Sequence, residues 1–170
     1  MYMKLYKDVL SRTTSVSVNA EILSASKEFR WGVGSWLWPE DIRTNVSGSV
    51  MELIASPMVR DLILKDIEHL IPPVDDFSIK FYAWQKNSGI SWHHDGHAKF
   101  GATIYLNKEW DINDGGIFVY ENEGELKAHL PTFNTMMVNE NQMGHMVTPV
   151  SPFAKHDRYT IQIFGVNKNE

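Results

Sequence analysis

Three of the seven histidines in this 170-residue chain crowd into Trp92-His93-His94-Asp95-Gly96-His97. In extended chain, side chains two residues apart project to one face, so His93 and Asp95 point together and His94 points away. One imidazole and one carboxylate make a two-point clamp, and local geometry can add nothing more. A third ligand must come from another strand. His145, in Met143-Gly144-His145-Met146-Val147, opens a strand-like run 50 residues beyond Asp95. Two histidines and one carboxylate on one face of an octahedron leave three positions open. That suits non-haem iron(II), which needs room for a co-substrate and for dioxygen. A His-x-Asp pair by itself is more often a surface pair, so support has to come from elsewhere in the chain. His69, His129 and His156 read as structural or solvent-facing.

The support comes from Arg158-Tyr159-Thr160-Ile161-Gln162-Ile163-Phe164. Tyr159, Ile161 and Ile163 make one face of a strand; Arg158, Thr160, Gln162 and Phe164 make the other. An arginine facing inward needs an anion, because burying it unpaired is expensive. Thr160 shares that face and adds a hydroxyl. A guanidinium beside a hydroxyl suits one terminal carboxylate of a dicarboxylate. The competing reading is a structural salt bridge from Arg158 to an Asp or Glu.

The elements that must position these residues are mostly strands. Phe77, Ile79, Phe81 and Ala83 alternate with Ser78, Lys80, Tyr82 and Trp84, the period of a sheet covered on one side. Further strands are expected over 100–106, 117–121, 135–139, 146–150 and 158–166, punctuated by Asn87-Ser88-Gly89, Asn113-Asp114-Gly115-Gly116 and Glu123-Gly124. One helix stands out over residues 57–70. Ser56 suits its N-cap, Pro57 its first position, and Val59, Leu62, Ile63, Ile67 and Leu70 its apolar stripe, with Pro72 and Pro73 to end it. Earlier residues are less regular: a short strand in 2–10, a helical turn or two in 20–26, and an aromatic strand or loop in 29–38. The fold class is mainly β with supporting helices, a two-sheet jelly roll in one domain, with 1–75 as mixed support and 77–166 as core.

Composition narrows the chemistry further. No cysteine is present, which removes disulfides, thiolate metal sites and cysteine nucleophiles. A formal charge of −5 gives no electrostatic reason to expect nucleic acid as partner. Without a signal-like or membrane-spanning apolar run, a cytoplasmic location is the expectation. Oligomeric state is not legible.

Several separated motifs then agree in order. Gly89-Ile90-Ser91-Trp92-His93-His94-Asp95, Thr103-Ile104-Tyr105-Leu106-Asn107, Gly115-Gly116, His145-Met146-Val147-Thr148-Pro149-Val150 and Arg158-Tyr159-Thr160 together resemble the iron(II)/2-oxoglutarate oxygenase superfamily, and within it the prolyl 4-hydroxylase-like branch. The resemblance covers about residues 77 to 166. It implies a double-stranded β-helix and iron(II) held by His93, Asp95 and His145. It also implies 2-oxoglutarate held at its far carboxylate by Arg158 with Thr160, and dioxygen as the oxidant. Co-substrate-binding side chains in the family usually stand eleven and nine residues before the first ligand, here Tyr82 and Trp84. Trp84 replaces the more usual tyrosine, so Tyr82 is the co-substrate candidate and Trp84 reads as packing; Tyr105 is a further candidate. The implied reaction hydroxylates an unactivated C–H bond, with peptidyl proline or a free amino acid as the expected substrate, and releases succinate and carbon dioxide. Asp95 agrees with hydroxylation, since halogenating members lack that carboxylate. Nucleic-acid dealkylating members usually carry a second arginine where this chain has Phe164. Residues 31–38 suit a substrate lid or an aromatic packing strand, and His94, His97 and Lys99 suit substrate contact or a solvated loop. Two other classes remain open from the residues: a cupin-like metal enzyme that does not use 2-oxoglutarate, and a non-catalytic β-sandwich binding module.

Overall fold

Alternation along the strands gives this protein one sheet with two chemically different faces. A computed structural model describes residues 3–96, 98–140 and 143–166. The chain runs β1 (Lys4–Lys7), α1 (Arg12–Lys27), β2 (Gly32–Val33), a 3-10 turn (Gly34–Trp36), α2 (Glu40–Arg43), β3 (Val46–Ser47), β4 (Val50–Ile54) and α3 (Pro57–Ile67). It continues through β5 (Asp76–Trp84), β6 (Gly89–His93), β7 (Phe100–Tyr105), a 3-10 turn (Ile112–Asp114), β8 (Phe118–Asn122), β9 (Glu125–His129), β10 (Thr135–Asn139), β11 (His145–Val147) and β12 (Arg158–Val166). All pairings are antiparallel. They form a seven-stranded sheet, β1-β10-β7-β12-β5-β4-β2, and a five-stranded sheet, β3-β6-β11-β8-β9. This is the jelly roll expected.

The outer face of the larger sheet is apolar. Ile79, Phe81, Ala102, Ile104, Ile161 and Ile163 pack there beneath Val18 and Ala25 of α1 and Val59, Ile63 and Ile67 of α3. The inner face carries the alternate residues, and the register stacks them in rows. Val50, Trp84 and Arg158 are Cα partners in one row; Glu52, Tyr82, Thr160 and Tyr105 form the next; Ile54, Lys80, Gln162 and Thr103 form a third. A cavity therefore faces a floor of polar and aromatic side chains, while the sheet's stability comes largely from its other side.

Several boundaries differ from the sequence reading, each for a physical reason. The helix expected over 57–70 stops at Ile67, and His69 lies in the turn that follows; the residue before a proline is disfavoured in the helical region, so Pro72 ends the helix early. Its start is as expected, with the Ser56 hydroxyl accepting from the Val59 N–H and Pro57 at the first position. The helical turn or two expected at 20–26 is a full helix, α1, capped by Ser11. Its β-branched and hydroxylic residues are poor helix formers, and packing against α3 overrides that preference. The strand expected at 146–150 begins at His145 and ends at Val147, before Pro149. β3, β4, β6 and the exposed edge strand β9 are not among the strands expected from the sequence.

Ile63 is fully buried where α3 meets the sheet and α1. Ile63→Ala is expected to lower unfolding free energy by about 2–5 kcal/mol through the cavity it leaves, measured as a lower urea midpoint at unchanged slope.

Candidate metal and dicarboxylate site

His93 ends β6, His145 opens β11, and the two are direct Cα partners across the smaller sheet. Pairing alone thus joins residues 93 and 145. Asp95, in the loop that leaves β6, brings its Oδ1 to 3.7 Å from His93 Nε2 and its Oδ2 to 3.5 Å from His145 Nε2. The three ligand atoms lie within 4.8 Å of one another, close enough to hold one metal ion. Each imidazole is oriented from behind by a main-chain carbonyl: His93 Nδ1 lies 2.9 Å from the Ser91 oxygen, and His145 Nδ1 lies 2.9 Å from the Met143 oxygen. A carbonyl only accepts, so both rings carry the proton on Nδ1 and turn the Nε2 lone pair inward. Burial, and then the neighbouring His145, lower the His93 pKa, against the Ser91 carbonyl and Asp95, which raise it. The neutral ring is the ligating form. Phe118 stacks on His145 with centroids 5.0 Å apart.

Glycines make room for both halves of the site. A Cβ at Gly101 would stand 2.8 Å from Asp95 Oδ2, so the carboxylate rests on bare backbone of the larger sheet. A Cβ at Gly116, which has φ +59, would stand 2.6 Å from Arg158 Cδ.

Arg158 is 1% exposed, its guanidinium between the rings of Trp84, at 5.4 Å, and Tyr105, at 5.2 Å. Among the described residues no carboxylate pairs with it, so the salt-bridge alternative fails. Its Nε and Nη2 are buried without hydrogen-bond partners, as are Thr160 Oγ1, the Tyr105 hydroxyl and Trp84 Nε1. Burial lowers the Arg158 pKa while Tyr105 raises it, and burial pushes the Tyr105 phenol up to about 12. Donors left unpaired in such a place fit an anion with several acceptor oxygens.

The triad and Arg158 open on one cavity of about 310 Å³. Tyr82 and Trp84 line it too. The Tyr82 pKa is raised by burial and by Glu52, a buried carboxylate of β4 that is its direct partner across the strands. Trp84, read from sequence as packing, is packed in a buried cluster with Val50, Tyr82 and Tyr105, and it also has an unpartnered indole N–H beside Arg158. Residues 31–38 divide between the two readings made of them. Trp31 packs edge-on against Tyr159, while Leu37 and Trp38 line the cavity, with Trp38 5.3 Å from the Tyr82 ring. His94 and Lys99 are exposed and outside the cavity lining, and His97 lies outside the described residues. Glu52, Gly101 and the two carbonyls were missed in the sequence; the His-x-Asp pair hinted at none of them.

The model of the 2OG-Fe(II) oxygenase superfamily matches residues 77–165, more than half of the chain. The chain belongs to that superfamily. It is a 2-oxoglutarate-dependent dioxygenase that uses iron(II) as its metal, with 2-oxoglutarate and dioxygen as co-substrates. Of the three function classes open from the residues, membership selects the oxygenase. Solved structures share the fold at low identity. A Pseudomonas putida prolyl-4-hydroxylase is 17% identical with a TM-score of 0.72, over 98% of this chain and 92% of that one. A Trichoplax adhaerens prolyl hydroxylase, in complex with a hypoxia inducible factor oxygen degradation domain peptide fragment, is 14% identical with a TM-score of 0.71, over 97% and 83%. SnoK, a non-heme alpha ketoglutarate dependent carbocyclase from nogalamycin biosynthesis, is 12% identical with a TM-score of 0.69, over 97% and 79%. No curated protein matches the oxygenase in sequence. Among the described residues, no helix is long and apolar enough to cross a membrane.

Gly116 and Gly124 both have positive φ, but a Cβ at Gly124 would meet nothing within 4 Å. Gly116→Ala is therefore expected to cost about 1–3 kcal/mol more than Gly124→Ala, read from the two urea midpoints.

Proposed function

We propose that this oxygenase hydroxylates an unactivated C–H bond of a peptidyl proline or a free amino acid. His93, Asp95 and His145 would hold iron(II); Arg158, with Thr160, Tyr105 and Tyr82, would hold the far carboxylate of 2-oxoglutarate. The observation that carries this reading is the buried, unpaired guanidinium that shares a cavity with the triad. When bound, iron(II) and 2-oxoglutarate supply the oxidising power: one atom of dioxygen goes to the substrate and the other to succinate as carbon dioxide is lost.

The chain's own residues supply binding and shape. Arg158 donates to the carboxylate, Thr160 adds a hydroxyl from the next row of the floor, and Trp84 an indole N–H. Ser91 and Met143 keep both imidazoles in the tautomer that presents Nε2. Phe118, Val147 and Ile90 close the cavity on the smaller-sheet side and keep water out. Asp95 as the third donor supports hydroxylation, because the carboxylate takes the position that a halide needs. For the substrate, support comes from fold likeness to prolyl hydroxylases, one of them bound to a peptide.

Metal-free protein given iron(II) and 2-oxoglutarate without oxygen is expected to develop a weak visible metal-to-ligand charge-transfer band. His145→Ala should abolish it, and Arg158→Ala should raise the 2-oxoglutarate concentration needed for half-saturation by roughly 100-fold or more, as for one partner lost from a buried charge pair. No band in the intact protein would overturn the metal and co-substrate assignments. Succinate release screened against free amino acids and proline-rich peptides tests the substrate.

A further inference from the structure

The third row of the floor has no role in holding the metal or the dicarboxylate, yet Lys80, Gln162 and Thr103 all line the cavity. Lys80 and Gln162 are direct Cα partners on neighbouring strands, so their side chains leave the sheet side by side. Just beyond lies the pair Phe164 and Gly101, the glycine on which Asp95 rests. This row therefore lies on the floor of the cavity, next to the pair on which Asp95 rests.

Both side chains are held with donors to spare. Thr103 Oγ1 donates to Gln162 Oε1 at 2.8 Å, which commits the amide oxygen and leaves the amide NH₂ for the cavity. Lys80 Nζ donates to Glu52 Oε1 at 2.8 Å, and an ammonium has two further N–H groups. Glu52 is only 7% exposed, against 27% for Lys80, so the acid is behind and the ammonium in front. The pair offers oriented donors but no net charge. A free carboxylate placed there would add a charge that no cation is left to match, because Lys80 is already paired with Glu52, and it would give up more hydration than a carbonyl does. An uncharged acceptor can take the same donors without leaving a charge unmatched.

We propose that Lys80 and Gln162 form a subsite for an amide carbonyl of the substrate, so that the oxygenase takes an acylated or peptidyl amino acid rather than a free one. This rests on the oxygenase reading above and decides between its two substrate classes. Leu37 and Pro39, from the segment that walls the cavity, and Phe164 from the floor would flank the apolar part of such a substrate.

The test uses the protein loaded with iron(II) and 2-oxoglutarate without oxygen. N-acetyl amino acid methylamides are titrated beside the corresponding free amino acids, and the shift of the charge-transfer band is followed. At least one blocked compound should shift the band, with its free counterpart binding more weakly. Gln162→Leu should weaken the blocked compound by roughly tenfold, the scale of one lost hydrogen bond in a desolvated site, while the band with 2-oxoglutarate alone persists. Gln162→Leu is the primary variant because it leaves no charge stranded; Lys80→Met, which isolates Glu52, is the second. Equal or better binding of free amino acids, wild-type affinity in both variants, or no shift with any probe would each overturn the subsite. Absence of the band before any probe is added would instead overturn the reading on which the subsite depends.

Discussion

A fully buried guanidinium with no carboxylate beside it among the described residues is the constraint around which the larger sheet is built. Desolvating an ion costs several kcal/mol even after relaxation, and the flanking rings of Trp84 and Tyr105 return about 0.5–2 kcal/mol at best. The shortfall is a standing demand for an anion. It is tolerable because the opposite face of the same strands is a continuous apolar core: Ile161 and Ile163 alternate in sequence with Thr160 and Gln162 and point into the helices instead. Period two separates the residues that stabilise from those that bind, at a distance of one residue.

The metal end is restrained differently. There the backbone does most of the positioning. Register puts His93 opposite His145, two carbonyls set the ring orientation, and Gly101 leaves a shallow seat for the Asp95 carboxylate. None of these needs a dedicated side chain, so the donor set is reached with three residues and little supporting chemistry. The two ends meet because Asp95, which follows a strand of one sheet, lies against a strand of the other.

Legibility in the sequence followed from how local each feature is. Strand alternation at 77–84 and 158–166 is local, and it placed Tyr82, Trp84, Arg158 and Thr160 on one face correctly. The His-x-Asp spacing is local too, and His145 could be proposed because it opens a strand-like run of its own. Other features depend on what lies across the sheet. Glu52 reads as one acid in an unremarked stretch until β4 pairs with β5 and sets it beside Tyr82. Gly101 reads as a weak strand residue until Asp95 is above it. Trp84 reads as packing because it stands where the family usually has tyrosine, and it is packed; its unpartnered N–H beside Arg158 shows only once the strands are paired. α1 stayed hidden because its threonines, serines and valines are poor helix formers, and only contact with α3 compensates.

Leu37, Trp38, Pro39 and Ile42 lie well before residue 77, where the superfamily match begins, yet they close one side of the cavity. Reactive apparatus and entrance are thus encoded in separate, consecutive stretches of the polypeptide. Substitutions confined to residues 37–42 therefore reshape the wall while leaving every metal and dicarboxylate residue in place, and Glu52, salt-bridged to Lys80 and accepting from the Trp38 indole at 3.4 Å, ties that wall to the floor.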